Sequence, residues 1–128
     1  MIWLLDTHAF LWFINDDESL SATARQAIED PTNTILLSIA SLWEMAIKVS
    51  LGRLATPSPF AEFMLGQLRQ NDIALLEIRA EHTGLVATLP FHHRDPFDRL
   101  IIAQAITENL PMISRDSAFD AYRIRRLW

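Results

Sequence analysis

The sequence predicts an α/β fold in which a mainly parallel sheet is covered by helices on both faces. Three observations predict it. Short apolar runs alternate with longer segments of helical period along the chain. The apolar runs are continuous instead of alternating, as in strands buried on both faces. No internal repeat, linker or low-complexity tract interrupts the series, so residues 1–128 read as a single domain. A chain of this length buries roughly 68% of its unfolded surface in one core.

Taken in order, IWLL (Ile2 to Leu5) reads as a buried strand that ends at Asp6. Ser21 suits the N-cap of a helix over ATARQAIED. TILLS (Thr34 to Ser38) is the second strand, followed by IASLWEMAIKVSL, a helix that stops at Gly52 in the C′ position. Pro57 and Pro59 open a helix over FAEFMLGQLRQ, and IALLEI (Ile73 to Ile78) is the third strand. AEHTGLVATL is helical and stops before Pro90, while Pro96 starts FDRLIIAQAITEN. PMIS (Pro111 to Ser114) is the fourth strand, and YRIRRLW is a candidate edge strand. FLWF (Phe10 to Phe13), Trp3 and Trp43 are expected in the core, with part of that surface open to a protein contact.

Composition narrows the function classes. Half the residues are apolar and 21% are charged, a globular balance. There is no cysteine, so disulfides and thiolate metal sites are excluded, and any metal is held by carboxylates, histidines or water. The net charge of −5 excludes a general nucleic-acid coat protein, but not an enzyme that reaches nucleic acid through a few cations. Those cations are ten arginines and one lysine, Lys48. Arginine's planar fork suits phosphate and carboxylate. The apolar N-terminal run lacks a basic n-region and is broken by Asp6 and His8, so it is not read as a signal peptide. No window reaches the length of a membrane span, and the expected location is the cytoplasm.

In parallel sheets, function sits at the carboxyl ends of the strands. Asp6 directly follows the first strand, and Glu44 lies six residues after Ser38, about one and a half turns into the next helix. Asp95 and Asp98 open the helix before the fourth strand, and Asp116 comes two residues after Ser114. Singly, each has an ordinary reading: Asp6 as a turn former or cap, Glu44 on a solvated helix face, Asp116 as the cap of a short helix. Together they place four carboxylate positions at one sheet edge. Crowded carboxylates need a counter-charge, and no lysine is expected near them. A hard divalent cation, Mg²⁺ with Mn²⁺ as a possible substitute, takes oxygen ligands and keeps several waters. It activates water and stabilises charge on a leaving oxygen, which suits phosphodiester hydrolysis. His8, His92 and His93 lack the spacing of a zinc site.

Neighbouring residues carry supporting chemistry. Thr7 and Ser114 adjoin the acids in sequence and have hydroxyls able to orient a carboxylate or a coordinated water. Arg94, Arg99 and Arg115 flank Asp95, Asp98 and Asp116 and are candidates to grip substrate phosphates.

At these residues the chain resembles a known family. LLDTHAFLW, SIASLWEMAIKVSLGRL, LPFHHRDPFDRLIIAQA and MISRDSAFDAY together look like a PIN domain. More narrowly, they look like the VapC-type toxin ribonucleases of bacterial toxin–antitoxin modules. The likeness runs from Ile2 to about Tyr122. It implies a three-layer α/β/α PIN-like fold and a metal-dependent endoribonuclease. It also implies a homodimer, neutralised by a cognate antitoxin whose tail lies across the active-site groove. The resemblance maps an acidic quartet onto Asp6, Glu44, Asp98 and Asp116, with Asp6 and Asp98 as direct Mg²⁺ ligands and Glu44 and Asp116 as further candidates.

Pro96 separates the two neighbouring aspartates. Proline at the first helical position makes Asp95 the N-cap and Asp98 the third helical residue. There the helix dipole stabilises a carboxylate whose oxygens can still reach a metal. Asp95 is expected to cap and at most to support the ligand.

Rival readings fit less of the chain. A haloacid-dehalogenase-like phosphatase wants a second acid two residues after the first, where His8 stands. A phosphorylation-receiver domain wants an acidic pair before the acceptor and a late lysine, both missing. The two alternatives that fit are a PIN-like binding or regulatory module with weak or lost catalysis, and a nuclease acting on DNA, since carboxylate–metal chemistry does not distinguish the sugars.

Overall fold

Each apolar run but the last is followed by helical turns that return the chain to the same edge, and every neighbouring strand pair is parallel as a result. The computed structural model describes residues 1–128. Its elements are β1 (Ile2–Leu5), α1 (Thr7–Ile14), α2 (Ala22–Glu29), β2 (Thr34–Ser38), α3 (Ile39–Ser50) and α4 (Phe60–Gln70). Then come β3 (Ile73–Leu76), α5 (Ala80–Val86), α6 (Pro96–Thr107), β4 (Met112–Ile113), a 3₁₀ turn (Ser117–Tyr122) and β5 (Arg126–Leu127). The five-stranded sheet has the order β3-β2-β1-β4-β5. Leu5 is in register with Leu37 of β2 and with Ile113 of β4, so the three central strands end level.

The sheet is sandwiched as the continuous apolar strands require. Successive side chains of a strand point to opposite faces, and Leu4 and Leu5, both fully buried, feed separate clusters. Leu5 joins Phe10, Leu37, Met45, Met64 and Leu68 beneath α1, α2 and α4. Leu4 joins Ile101, Ile102, Met112 and Phe119 beneath α6 and the 3₁₀ turn. The arrangement is three-layered, α/β/α. No helix is long and apolar enough to cross a membrane.

Helix boundaries follow their caps. The Ser21 hydroxyl accepts from the Ala24 N–H at 3.0 Å, and Ser38 accepts from Ala40 at 3.0 Å. Gly52 follows α3 with φ +71°, the left-handed conformation a glycine adopts without strain. Asp95 accepts from the N–H groups of Phe97 (2.8 Å) and Asp98 (3.2 Å), with Pro96 at the first helical position.

Three expectations change. The third strand ends at Leu76 instead of Ile78, and the fourth shrinks to Met112–Ile113. α1 was indistinct within the apolar N-terminal run, because THAFLWFI is apolar nearly all round and shows no helical period. Trp43 is not core: its position on α3 leaves it 58% exposed, whereas Trp3 and Phe10 are buried as expected.

Candidate active site

The site is built where β1, β2 and β4 end. The Asp6 N–H bonds the Ile113 carbonyl at 3.0 Å, which pins the residue between β1 and β4. Asp6 occupies the N-cap position of α1, yet its side chain makes no capping bond. The carboxylate instead takes a hydrogen bond from the Ser114 hydroxyl, 3.0 Å to Oδ2, across 108 residues of sequence. Burial pushes the Asp6 carboxyl above its usual range, with a smaller upward push from Glu44, against the Ser114 bond and the charge of His8.

Glu44 is buried on the inner side of α3. Its Oε1 accepts from the Thr7 hydroxyl at 2.9 Å. Thr7 Oγ1 also lies 2.8 Å from Ser41 Oγ; its single proton goes to the carboxylate, so Ser41 donates to Thr7. The expectation that no lysine lies near the acids fails here. Lys48, one helical turn from Glu44, reaches its Oε2 at 3.2 Å.

Asp98 stands on the first turn of α6. Burial and the charges of Asp95, Asp6 and Glu44 push its carboxyl up to about 7, while His93 pulls the other way. Asp6, Glu44 and Asp98 therefore share one electrostatic environment. Asp116 lies one step out. Burial works against its charge, but hydrogen bonds from His93 and the Ala118 N–H, with the charges of His93 and Arg126, outweigh it and hold the carboxyl below its usual range. Oδ1 accepts from Ala118 at 3.0 Å and Oδ2 from His93 Nε2 at 3.0 Å. The Asp116 N–H donates to Ser114 Oγ at 3.0 Å, so one serine ties Asp6 to Asp116.

His93 is the residue that sequence reasoning missed, having been weighed only as a zinc ligand. It is buried, stacked on Phe119 at 4.7 Å and 16°, and its N–H donates to the Tyr122 hydroxyl at 3.0 Å. Its partner Asp116 is 23 residues away, so no local spacing could reveal the pair. The arginines divide. Arg99 is buried and donates to the carbonyls of Val86, Leu89, Pro90 and His93, so the expected phosphate grip does not hold for it. Arg94 and Arg115 are exposed, and Arg115 lies 5.9 Å from the Trp12 ring. Asp6, His8, Trp12, Arg115, Asp116 and Ser117 line one open cleft. A larger cavity sits at the opposite sheet edge, around Leu110, Pro111 and Arg125, with no carboxylate in its lining.

No three His, Asp or Glu side chains gather in a geometry that would hold a metal on protein ligands alone. The donor set fits a different kind of site. Asp6 and Asp98 are hard oxygen donors in mutual repulsion, and neither forms an ion pair with lysine or arginine. A Mg²⁺-class ion, bound through one or two carboxylates and its own waters, matches that arrangement.

Residues 3–124 match the family model of the PIN domain. The chain is 39% identical over 60 residues to Ribonuclease VapC16 of Mycobacterium tuberculosis, spanning 47% of this chain but only 43% of that protein. It is 29% identical over 121 residues to Ribonuclease VapC22 of the same organism, covering 94% and 91% of the two chains. Its fold resembles a chain in the crystal structure of VapBC2 from Rickettsia felis bound to a promoter DNA fragment, with TM-score 0.70, 18% identity, and 99% and 98% coverage. It also resembles a chain of VapBC-5, a toxin–antitoxin system of Mycobacterium tuberculosis, with TM-score 0.60, 21% identity and 98% of each chain covered.

Proposed function

Because this chain belongs to the PIN domain family, we propose that it is a single-domain, metal-dependent endoribonuclease and the toxin of a toxin–antitoxin pair. The observation that carries this reading is the crowding of Asp6, Glu44 and Asp98 at the ends of β1 and β2, where burial and mutual repulsion leave charge unbalanced. The names of VapC16 and VapC22 support RNA as the substrate.

Asp6 and Asp98 would hold Mg²⁺, or Mn²⁺ in its place, with Glu44 and Asp116 as further ligands through its waters. When bound, the ion neutralises the carboxylates, activates water and stabilises charge on the leaving oxygen. The protein's own groups prepare the site. Ser114 fixes Asp6, Thr7 fixes Glu44, and Asp95 caps α6 so that Asp98 is held in place. The exposed Arg94 and Arg115 take neighbouring phosphates. The solved VapBC complexes support a cognate antitoxin as partner; the family resemblance is what supports reading the chain as a homodimer in the cytoplasm.

The test is cleavage of RNA by the purified chain with Mg²⁺ or Mn²⁺. Activity is expected to vanish with EDTA and in Asp6→Asn. Metal-independent cleavage that survives the substitution overturns the mechanism, and DNA assayed in parallel decides the sugar. A competing reading, a PIN fold with little catalysis, draws on two facts: Lys48 already neutralises Glu44, and both oxygens of Asp116 are hydrogen-bonded. It predicts no cleavage by the wild-type chain.

A further inference from the structure

Trp43 is the one exposed tryptophan of the chain. The other tryptophans are covered: Trp3 is buried, and Trp12 and Trp128 are half-buried against each other at 5.8 Å. Trp43 stands in solvent at 58% exposure, yet it is not loose. Phe97 meets it edge to face, 5.0 Å between centroids at 77°. Such a contact fixes the indole and leaves at least one of its faces open.

Its position ties it to the acids. Trp43 immediately precedes Glu44, and Phe97 immediately precedes Asp98. The pair bridges α3 and α6 at the rim of the carboxylate cluster, on the β2 side. On the β4 side, Asp6 and Asp116 share their cleft with Trp12 and Arg115. From this geometry we infer that the Trp43–Phe97 pair is a stacking ledge for an unpaired nucleobase next to the scissile phosphate. The inference rests on the nuclease reading above.

Charge argues for a base over an acidic peptide. The chain carries net −5, and of the cations near the ledge Lys48 is committed to Glu44 and Arg99 to backbone carbonyls, while Arg94, three residues before Phe97, is exposed. A strand crossing this rim finds Arg94 for one phosphate and little other Coulomb attraction. Its uncharged π faces are what it can offer, and every base has one, so stacking gives affinity without sequence preference.

The experiment uses a short oligoribonucleotide that the wild-type chain cuts, selected from a random-sequence pool, and versions with one abasic residue at each position. Abasic substitution beside the cut is expected to raise KM about tenfold with kcat nearly unchanged, within the range of one lost stack. Trp43→Ala raises KM on the intact substrate equally and is indifferent to the abasic residue. Trp43→Phe, which keeps an aromatic face, restores most of the loss. Multiplying losses in Trp43→Ala, or wild-type KM in that variant, overturn the ledge while leaving the nuclease reading intact. Normal cleavage in Trp43→Ala with lost binding of a partner protein overturns it too, and assigns the pair to protein docking. No cleavage by the wild-type chain removes both readings together.

Discussion

At pH 7 Asp98 stands near the midpoint between its two protonation states, because burial and the charges of Asp95, Asp6 and Glu44 push it to about 7. A ligand must be ionised to hold a hard cation, so metal uptake displaces a proton. Apparent affinity for Mg²⁺ or Mn²⁺ is expected to climb as pH rises towards 7 and then level off, read by calorimetry in buffers of different ionisation enthalpy. Stability without metal runs the other way. An acid whose folded pKa exceeds its unfolded value binds more protons in the folded state, so the EDTA-treated chain loses stability as pH rises from about 4 through about 7. Urea titrations should show this slope weakened in Asp98→Asn; an unchanged slope refutes the assignment. The acids were legible in the sequence because a residue at a strand exit has one place to go. Lys48, His93 and Trp43 were not, because their partners are set by helix packing and by chain segments far away.

The N-terminus of α6 holds two aspartates with separate work. Asp95 accepts two backbone N–H groups, whereas Asp98 feels the site. Asp95→Ala is expected to cost about 1 kcal/mol of stability and to retain cleavage. Asp98→Asn is expected to abolish cleavage while leaving the metal-free fold at least as stable at pH 8. Denaturant melts and RNA assays on both variants check this, and a reversed pattern would exchange the roles. This element was readable because Pro96 sets its start. α1 was not, since a helix apolar on nearly every side has no period to detect. β4 was overextended because two paired residues between β1 and β5 suffice to close the sheet. The loop before α6 is itself anchored to that helix, through the Arg99 bonds to Val86, Leu89, Pro90 and His93.

Across the whole molecule, the net charge of −5 leaves few cations to hold the proposed RNA substrate. With Arg94 and Arg115 as the phosphate contacts, log affinity against log salt should fall with a slope of about −1.4. Measuring KM at constant Mg²⁺ over a KCl series tests it, and a slope several times steeper would require cations placed elsewhere. The general fold was legible because parallel strands need long crossovers, and the alternation of runs and helices leaves few topologies. The Ser114–Asp6 bond adds a consequence in time. Asp6 is made well before its partner: the hydroxyl that fixes it is encoded 108 residues later, directly after β4, the strand that pairs with β1. Domains emerge amino end first. A nascent chain on the ribosome therefore carries Asp6 unsupported until Ser114 has also emerged, and the cleft is assembled only after β4 has paired with β1.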